Sequence, residues 1–484
     1  MSLGGGDLRV ERARTAVPPM DSETHPSRSP SPRRRVWRLT PLRLVFSVLF
    51  LFLGTFGFLL PGLVLVQSFF DPALNAPGIP QMALQLHRSI TPRYARWATA
   101  RVAAGQVATK TENVSGTEWP LYGSVFYLLG EEQLQAAWEA NHALLGEEPR
   151  RFARDAIEAA ARLVSDPKHA TWVRYYWGED YLQKEDVFYR MLLISALASH
   201  RHLTGSDEFL ALLRSQTDGL ADELSASRSG LLDDYPGQCY PTDVLSAWGA
   251  IQRADSVLGT DHSAQIAAAA RGFTGAHAAH NGLPPFAAFS PNGQPLDESR
   301  GCGNSNACMQ ALSLWPDLGA KWYSIYERDF WQRDWLAAGF REYLRGTPNG
   351  EWGMEVDAGP VIRGNGFAAC AFGIAAARSN GRFDHAYPLS LEAIALSWPW
   401  PNGRLIIPRV VSNPADAPFI GESAIFYQLT TPVSPAVHTL RHHEGNIPAI
   451  VYICLALYFG VALLFYRRAL WTIRPFEKRA RPAG

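Results

Sequence analysis

Two uninterrupted apolar runs constrain this chain more than any other feature. Residues 44–70 (LVFSVLFLFLGTFGFLLPGLVLVQSFF) hold 27 consecutive uncharged positions, and residues 447–466 (IPAIVYICLALYFGVALLFY) hold 20 more. Each is long enough to cross about 30 Å of hydrocarbon as a helix. The first is too long for a signal-peptide core and lacks a small-residue cleavage site at its end. Arg33, Arg34, Arg35, Arg38 and Arg43 precede the first run, and Arg467, Arg468, Arg474, Lys478, Arg479 and Arg481 follow the second. The positive-inside rule therefore predicts cytosolic termini and an exported central region, periplasmic or extracellular. The expected layout is a disordered basic tail over 1–42, a span over 43–70, a linker over 71–92, a domain over 93–440, a span over 447–466 and a basic tail over 467–484.

Across all 484 residues, 45 Lys and Arg balance 45 Asp and Glu, so the basic surplus that phosphate neutralisation requires is missing and nucleic acid is not an expected partner. The lipid bilayer is one expected partner and a small molecule or glycan the other; a homo-oligomer is left open. Five cysteines are too few for a disulfide scaffold. Cys239, Cys302 and Cys308 lie in the exported region, where they could pair or stay free.

Between the spans the pattern reads as helix upon helix. Residues 151–164 carry Phe152, Ile157, Ala160, Ala161 and Val164 on one helical face. Residues 187–202 are apolar nearly all round, as a buried inner helix would be. Further helices are predicted over 242–258, 305–315, 330–343 and 367–377, and an edge strand over 405–411, interrupted by Pro408. Long Gly- and Pro-rich loops separate them. The spacing suits an all-α ring of about six helical hairpins, with the chemistry gathered at the loop end of the inner helices.

Polar and aromatic residues concentrate at three loop-to-helix junctions, at residues 177–186, 233–243 and 350–366, with a weaker fourth at 297–308. The candidate catalytic residues are Asp234, Asp243 and Asp357, because neighbouring carboxylates in a shared site divide into a protonated acid and an ionised base. Asp243 alone would equally serve as a first-turn acid complementing a helix dipole. Trp177, Tyr181, Tyr189, Tyr235, Tyr240, Trp352, Glu355 and Arg363 are the candidate substrate-binding residues. Neither His200 with His202 nor His442 with His443 has a third ligand at metal spacing, so no metal is expected. No phosphate loop, nucleophile elbow or dinucleotide fingerprint occurs, and no cofactor is expected.

The same junctions resemble the linalool dehydratase/isomerase family. The likeness lies in Trp177-Gly-Glu179, Gln183-Lys-Glu-Asp186-Val-Phe-Tyr189, Leu203-Thr-Gly205, Pro236, Leu258-Gly-Thr-Asp261 and Glu355-Val-Asp357-Ala-Gly359, and it spans roughly residues 115–435. The resemblance implies an (α/α)6 barrel. Carried over by position, the family's catalytic histidine falls on Leu192 and its two cysteines on Asp234 and Asp243, so carboxylates replace thiol and imidazole chemistry. The expected function is a membrane-tethered barrel enzyme doing acid–base lyase or isomerase chemistry on a small terpenoid or other alcohol. The alternatives are a glycan-active hydrolase or lyase of the cell envelope, since two carboxylates across a cleft also suit glycoside chemistry, and a non-catalytic envelope binding module.

Overall fold

In a computed structural model of the chain, residues 41–105, 113–355 and 358–473 are described. The tails expected over 1–42 and 467–484 lie largely outside them, apart from Arg467 to Ile473, which continue a helix. The described residues are mostly helical, with a few short strands.

Two helices are long and apolar enough to cross a membrane, Pro41–Phe69 and Ala449–Ile473. They lie antiparallel: Ser47 Oγ donates to the Ala469 carbonyl at 3.1 Å, and the Thr55 and Tyr466 hydroxyls meet at 2.9 Å. Gly62 lets the first helix approach the Tyr458 and Phe459 side chains of the second, where a Cβ would lie 3.1 Å from both.

Among the described residues fifteen α-helices run between them. Three lie within connections (Pro149–Phe152, Thr171–Trp177 and Ile406–Val411), and the other twelve are α1 (Gln81–Ala104), α2 (Val114–Ala140), α3 (Arg154–Ser165), α4 (Val187–Thr204), α5 (Leu210–Ala226), α6 (Pro241–Leu258), α7 (Ser263–Ala269), α8 (Gly301–Leu314), α9 (Pro316–Phe330), α10 (Phe367–Ser379), α11 (Phe383–Leu396) and α12 (Ile420–Thr430). The even-numbered helices pack in a closed cycle, α2 on α4, α4 on α6, α6 on α8, α8 on α10, α10 on α12, and α12 back on α2. The odd-numbered helices pack outside them. Local sequence explains both layers. α4 is buried on nearly every face, which its continuous apolar run requires. α3 buries Ala156, Ile157, Ala160, Ala161 and Val164 and leaves Arg154, Asp155 and Arg162 outward. Pro241 opens α6 where its missing N–H costs nothing, and Gly259 closes it in a left-handed conformation at φ +67°.

The inner helices run parallel. Asn306 in α8 donates to Ser246 Oγ in α6 at 2.7 Å, and Ser305 in α8 donates to the Ala369 carbonyl in α10 at 3.0 Å, each pair near the helix starts. Gly130 lets α2 meet α12, because a Cβ there would fall 2.6 Å from the Phe426 ring. Where the cycle closes, buried Arg93 of α1 holds buried Glu422 of α12 through both guanidinium nitrogens, at 3.1 and 3.2 Å.

The strands decorate the loops that lead into inner helices. β1 (Ala288–Phe289) pairs antiparallel with β2 (Gln294–Pro295), with Ala288 opposite Pro295. β3 (Trp331–Arg333) pairs with β4 (Ala338–Phe340), Trp331 facing Phe340. β5 (Trp352–Glu355), β6 (Gly359–Ile362) and β7 (Asn365–Gly366) form a three-stranded antiparallel ribbon.

Three expectations change. Residues 330–343 form the β3–β4 hairpin rather than a helix, because Asp334 accepts from the Leu336 and Ala337 amides and turns the chain. Residues 406–411 form a short helix with Pro408 inside it, not an edge strand. The linker expected over 71–92 becomes helical at Gln81, with Pro92 inside α1. Cys239, Cys302, Cys308, Cys370 and Cys454 are all free thiols.

Candidate functional site

Because the inner helices are parallel, their N-termini and the preceding loops gather on one rim. The loops are stitched together there. The Val187 amide donates to the Asp233 carbonyl at 3.2 Å and the Asp233 amide to Glu185 Oε2 at 2.7 Å. Trp177 Nε1 donates to the Asp234 carbonyl at 3.3 Å, and Ser290 Oγ to Asp233 Oδ1 at 2.5 Å. The Ala288 amide donates to the Cys239 carbonyl at 3.0 Å, and the Gly301 amide to the Glu342 carbonyl at 2.8 Å.

Asp234 sits in the tight turn made by Tyr235-Pro-Gly-Gln238, in which the Gln238 amide donates to the Tyr235 carbonyl at 2.7 Å. Its side chain is fully buried, and Oδ2 accepts the Tyr240 amide at 2.7 Å. Burial, then the charges of Asp243, Asp186 and Asp233, hold its carboxyl well above the usual carboxylate range. Asp243 is half-buried in the first turn of α6. Asp186, buried at the start of α4 with φ +30°, is likewise pushed well above its ordinary value by burial. The fully buried Asp234 thus binds its proton more tightly than an ordinary carboxylate, with the more exposed Asp243 near enough to contribute to that shift.

Tyr235 completes this wall. Its hydroxyl donates to Glu118 Oε1 of α2 at 2.6 Å, and its ring packs against Trp172 at 5.9 Å and Tyr176 at 5.4 Å. Burial, and then the Glu118 charge, raise the phenol above its ordinary range. A floor lies deeper along the axis. Phe126 of α2 reaches Phe372 of α10 at 5.7 Å, and Tyr427 of α12 donates to Met309 Sδ of α8 at 3.6 Å. Neither pair joins neighbouring inner helices, so these side chains cross the centre of the cycle.

A second patch adjoins the first through Tyr240, whose ring lies 5.3 Å from Phe286. The Arg300 guanidinium stacks on Phe286 at 3.8 Å, lies 5.1 Å from the Tyr343 ring and pairs with Glu355 at 3.6 Å. Tyr343 also donates to Glu355.

Of the residues singled out in the sequence, Asp234, Asp243, Trp177, Tyr235 and Tyr240 come together, and Glu355 stands in the adjoining patch. Tyr189 does not join them: its hydroxyl donates outward to the Val164 carbonyl at 3.0 Å, and Tyr181 packs beside it at 5.7 Å. Trp352 and Arg363 lie farther out on the β5–β6 ribbon, where Arg363 pairs with Asp334 at 2.5 Å. They line a groove of about 510 Å³ with Arg333, Arg345 and Glu351. Asp357 lies outside the described residues. Leu192 is a buried core residue of α4. Among the described residues no group of three His, Cys, Asp or Glu side chains is placed to hold a metal ion. Sequence reading missed Glu118, Trp172, Arg300 and Tyr343. Only Arg300 lay in a flagged junction, and Glu118 stands 117 positions from its partner Tyr235.

The site defines a helical protein whose loop rim carries a carboxylate and aromatic cup. No family model matches the chain, and no curated protein does either.

Proposed function

We propose that the twelve helices form an (α/α)6 barrel, exported on its two membrane anchors, and that it is an acid–base enzyme of the lyase or isomerase type. The resemblance to the linalool dehydratase/isomerase family supports the barrel, as does the closed cycle of six parallel inner helices within six outer ones. The catalytic reading rests on one observation: half-exposed Asp243 stands close enough to the buried Asp234 for its charge to help raise that carboxyl, and its charge also reaches Tyr235 of the Glu118–Tyr235 pair. Asp243, protonated by transfer from Asp234, gives that proton to a substrate hydroxyl, so that the C–O bond breaks, water leaves and the charge is left on Asp234. Glu118 takes a proton from the adjacent carbon as the C=C bond forms. The aromatic walls stabilise the cationic character that develops between these steps. A tertiary allylic alcohol is the first probe, given to the full-length protein in lipid nanodiscs, with alkene formation followed by mass spectrometry. Turnover should fall by about a hundredfold or more in Asp243→Asn. Turnover unchanged by that substitution, or absent from the wild type, would sink this reading.

A second reading is favoured by Glu355, which brings a further carboxylate to the mouth beside Arg300. A carboxylate on each side of a cleft with aromatic walls suits glycoside cleavage. Release of reducing ends from envelope glycans, lost in both Asp243→Asn and Glu355→Gln, would select it.

A further inference from the structure

Three contacts fix how the ring sits against the two long apolar helices. Tyr387, near the start of α11, donates to the Phe69 carbonyl at 2.8 Å. Tyr458 donates to the Ala395 carbonyl at 2.9 Å near the end of α11. Just beyond, Trp398 Nε1 donates to the Gly57 carbonyl at 2.8 Å. The end of α11 is the loop-rim end, because α11 leads into inner helix α12. The first apolar helix therefore passes the ring from the rim, at Gly57, to the far end, at Phe69. Its other half, residues 41–56, continues past the rim beside residues 459–473 of its partner. There Leu42, Val45 and Val48 are 56–63 % exposed, and residues 41–52 pack chiefly on the second apolar helix. These projecting halves must lie in hydrocarbon, so the bilayer is on the rim side of the ring. That conclusion is the same whichever side of the membrane the ring occupies.

An independent observation agrees. Among the described residues from 71 to 446, the exposed large apolar side chains fall almost wholly in the loops that enter the inner helices or at the helix ends bounding them. Phe152, Leu440 and Trp335, whose carbonyl accepts the Ala449 amide where the second apolar helix begins, are the exceptions. Tyr175, Tyr176, Trp352, Met354, Val410 and Val411 represent the set, at 40–75 % exposure. Such a concentration on one end marks an interaction surface, and Trp and Tyr are the residues that settle at membrane interfaces.

We propose that the loop rim is a bilayer-docking surface, seated in the interfacial layer, so that the carboxylate cup opens toward lipid and takes its ligand from the membrane. The ligand is then an amphiphile whose polar group reaches the carboxylates while its apolar part remains among the rim side chains and acyl chains. The docking rests on the two apolar helices spanning the bilayer and not on the catalytic reading, so either can fail without the other.

Full-length protein in nanodiscs of phosphatidylcholine brominated near the headgroup provides the test, since bromine quenches indoles only on contact. Trp352→Phe should lower the quenchable tryptophan emission, because it removes an exposed rim indole. Trp138→Phe, in the last turn of α2 at the opposite end, should leave it unchanged. Both exchanges keep an aromatic ring at a partly exposed position, so folding should be retained. Equal quenchable emission in Trp352→Phe and wild type would overturn the proposal, as would a loss in Trp138→Phe.

Discussion

Tyr235 and Glu118, 117 positions apart, meet through a 2.6 Å hydrogen bond that ties the loop before α6 to the first turns of α2. The acceptor is a carboxylate, and the bond is part-buried, so it belongs to the stronger class of side-chain hydrogen bonds. Tyr235→Phe should cost about 1.5–3 kcal/mol, because Glu118 loses its donor in a half-buried setting. Glu118→Gln should cost less, since the amide oxygen still accepts. Chemical denaturation of the detergent-solubilised protein measures both; a Tyr235→Phe protein as stable as wild type would show that the bond contributes nothing.

The position of Asp234 makes stability depend on pH in a stated direction. Its carboxyl binds its proton more tightly in the fold than in the unfolded chain, where it titrates near 4. Below that value both states are protonated and the group is without effect. As pH rises above it the unfolded chain ionises first, so stability falls until the folded group also ionises. Asp234→Asn removes this loss while leaving an oxygen for the Tyr240 amide. Melting temperatures of the variant should match wild type near pH 4 and exceed it at pH 7. Asp243→Asn should act in the same direction but less, because burial outranks the Asp243 charge as the cause.

Glu392 of α11 offers a second, separable titration outside the cup. Burial raises its carboxyl to about 8, against the Ala338 amide that donates to it at 2.8 Å. It is therefore protonated in the fold at neutral pH. Stability from this group is lost progressively from about pH 4.5 to pH 8, the interval between its unfolded and folded values. Glu392→Gln should recover on the order of 4 kcal/mol at pH 8 and nothing at pH 4. A variant whose gain were the same at both values would point to packing instead.

The helices were legible wherever one element dictated its own pattern. The uninterrupted apolar run of α4 announced a buried helix, and the Pro and Gly at the two ends of α6 marked its limits. The β3–β4 hairpin was not legible, because WQRDWLAAGF has helical composition and only the Asp334 side chain, capping two amides, turns it. At the site, the 233–243 loop carried its own cluster of acids and aromatics and could be found. Glu118 could not. It lies in an apolar helix with no local sign of a role, and only the parallel packing of α2 with the other inner helices brings it to Tyr235. Tyr189 failed for the converse reason: its position on a buried inner helix is apparent from sequence, but not that its ring points to the outer layer.

The seam where the cycle closes gives the last prediction. Arg93 of α1 and Glu422 of α12 are both buried, and Glu422 Oε1 also accepts the Leu405 amide at 3.1 Å. Arg93 lies over Phe419 at 5.4 Å and donates to the Ser89 carbonyl at 2.7 Å, so the pair is enclosed on several sides. Removing one charge strands the other away from water, and Glu422→Ala should cost about 3–5 kcal/mol. Arg93→Met with Glu422→Leu removes both charges and keeps much of the volume. The double variant should lose only about 1–3 kcal/mol, the cost of leaving the Leu405 amide unpaired. Denaturant unfolding of the three proteins decides the matter. If the double variant loses as much as Glu422→Ala or more, the cost does not come from a stranded charge and the seam is held by packing alone.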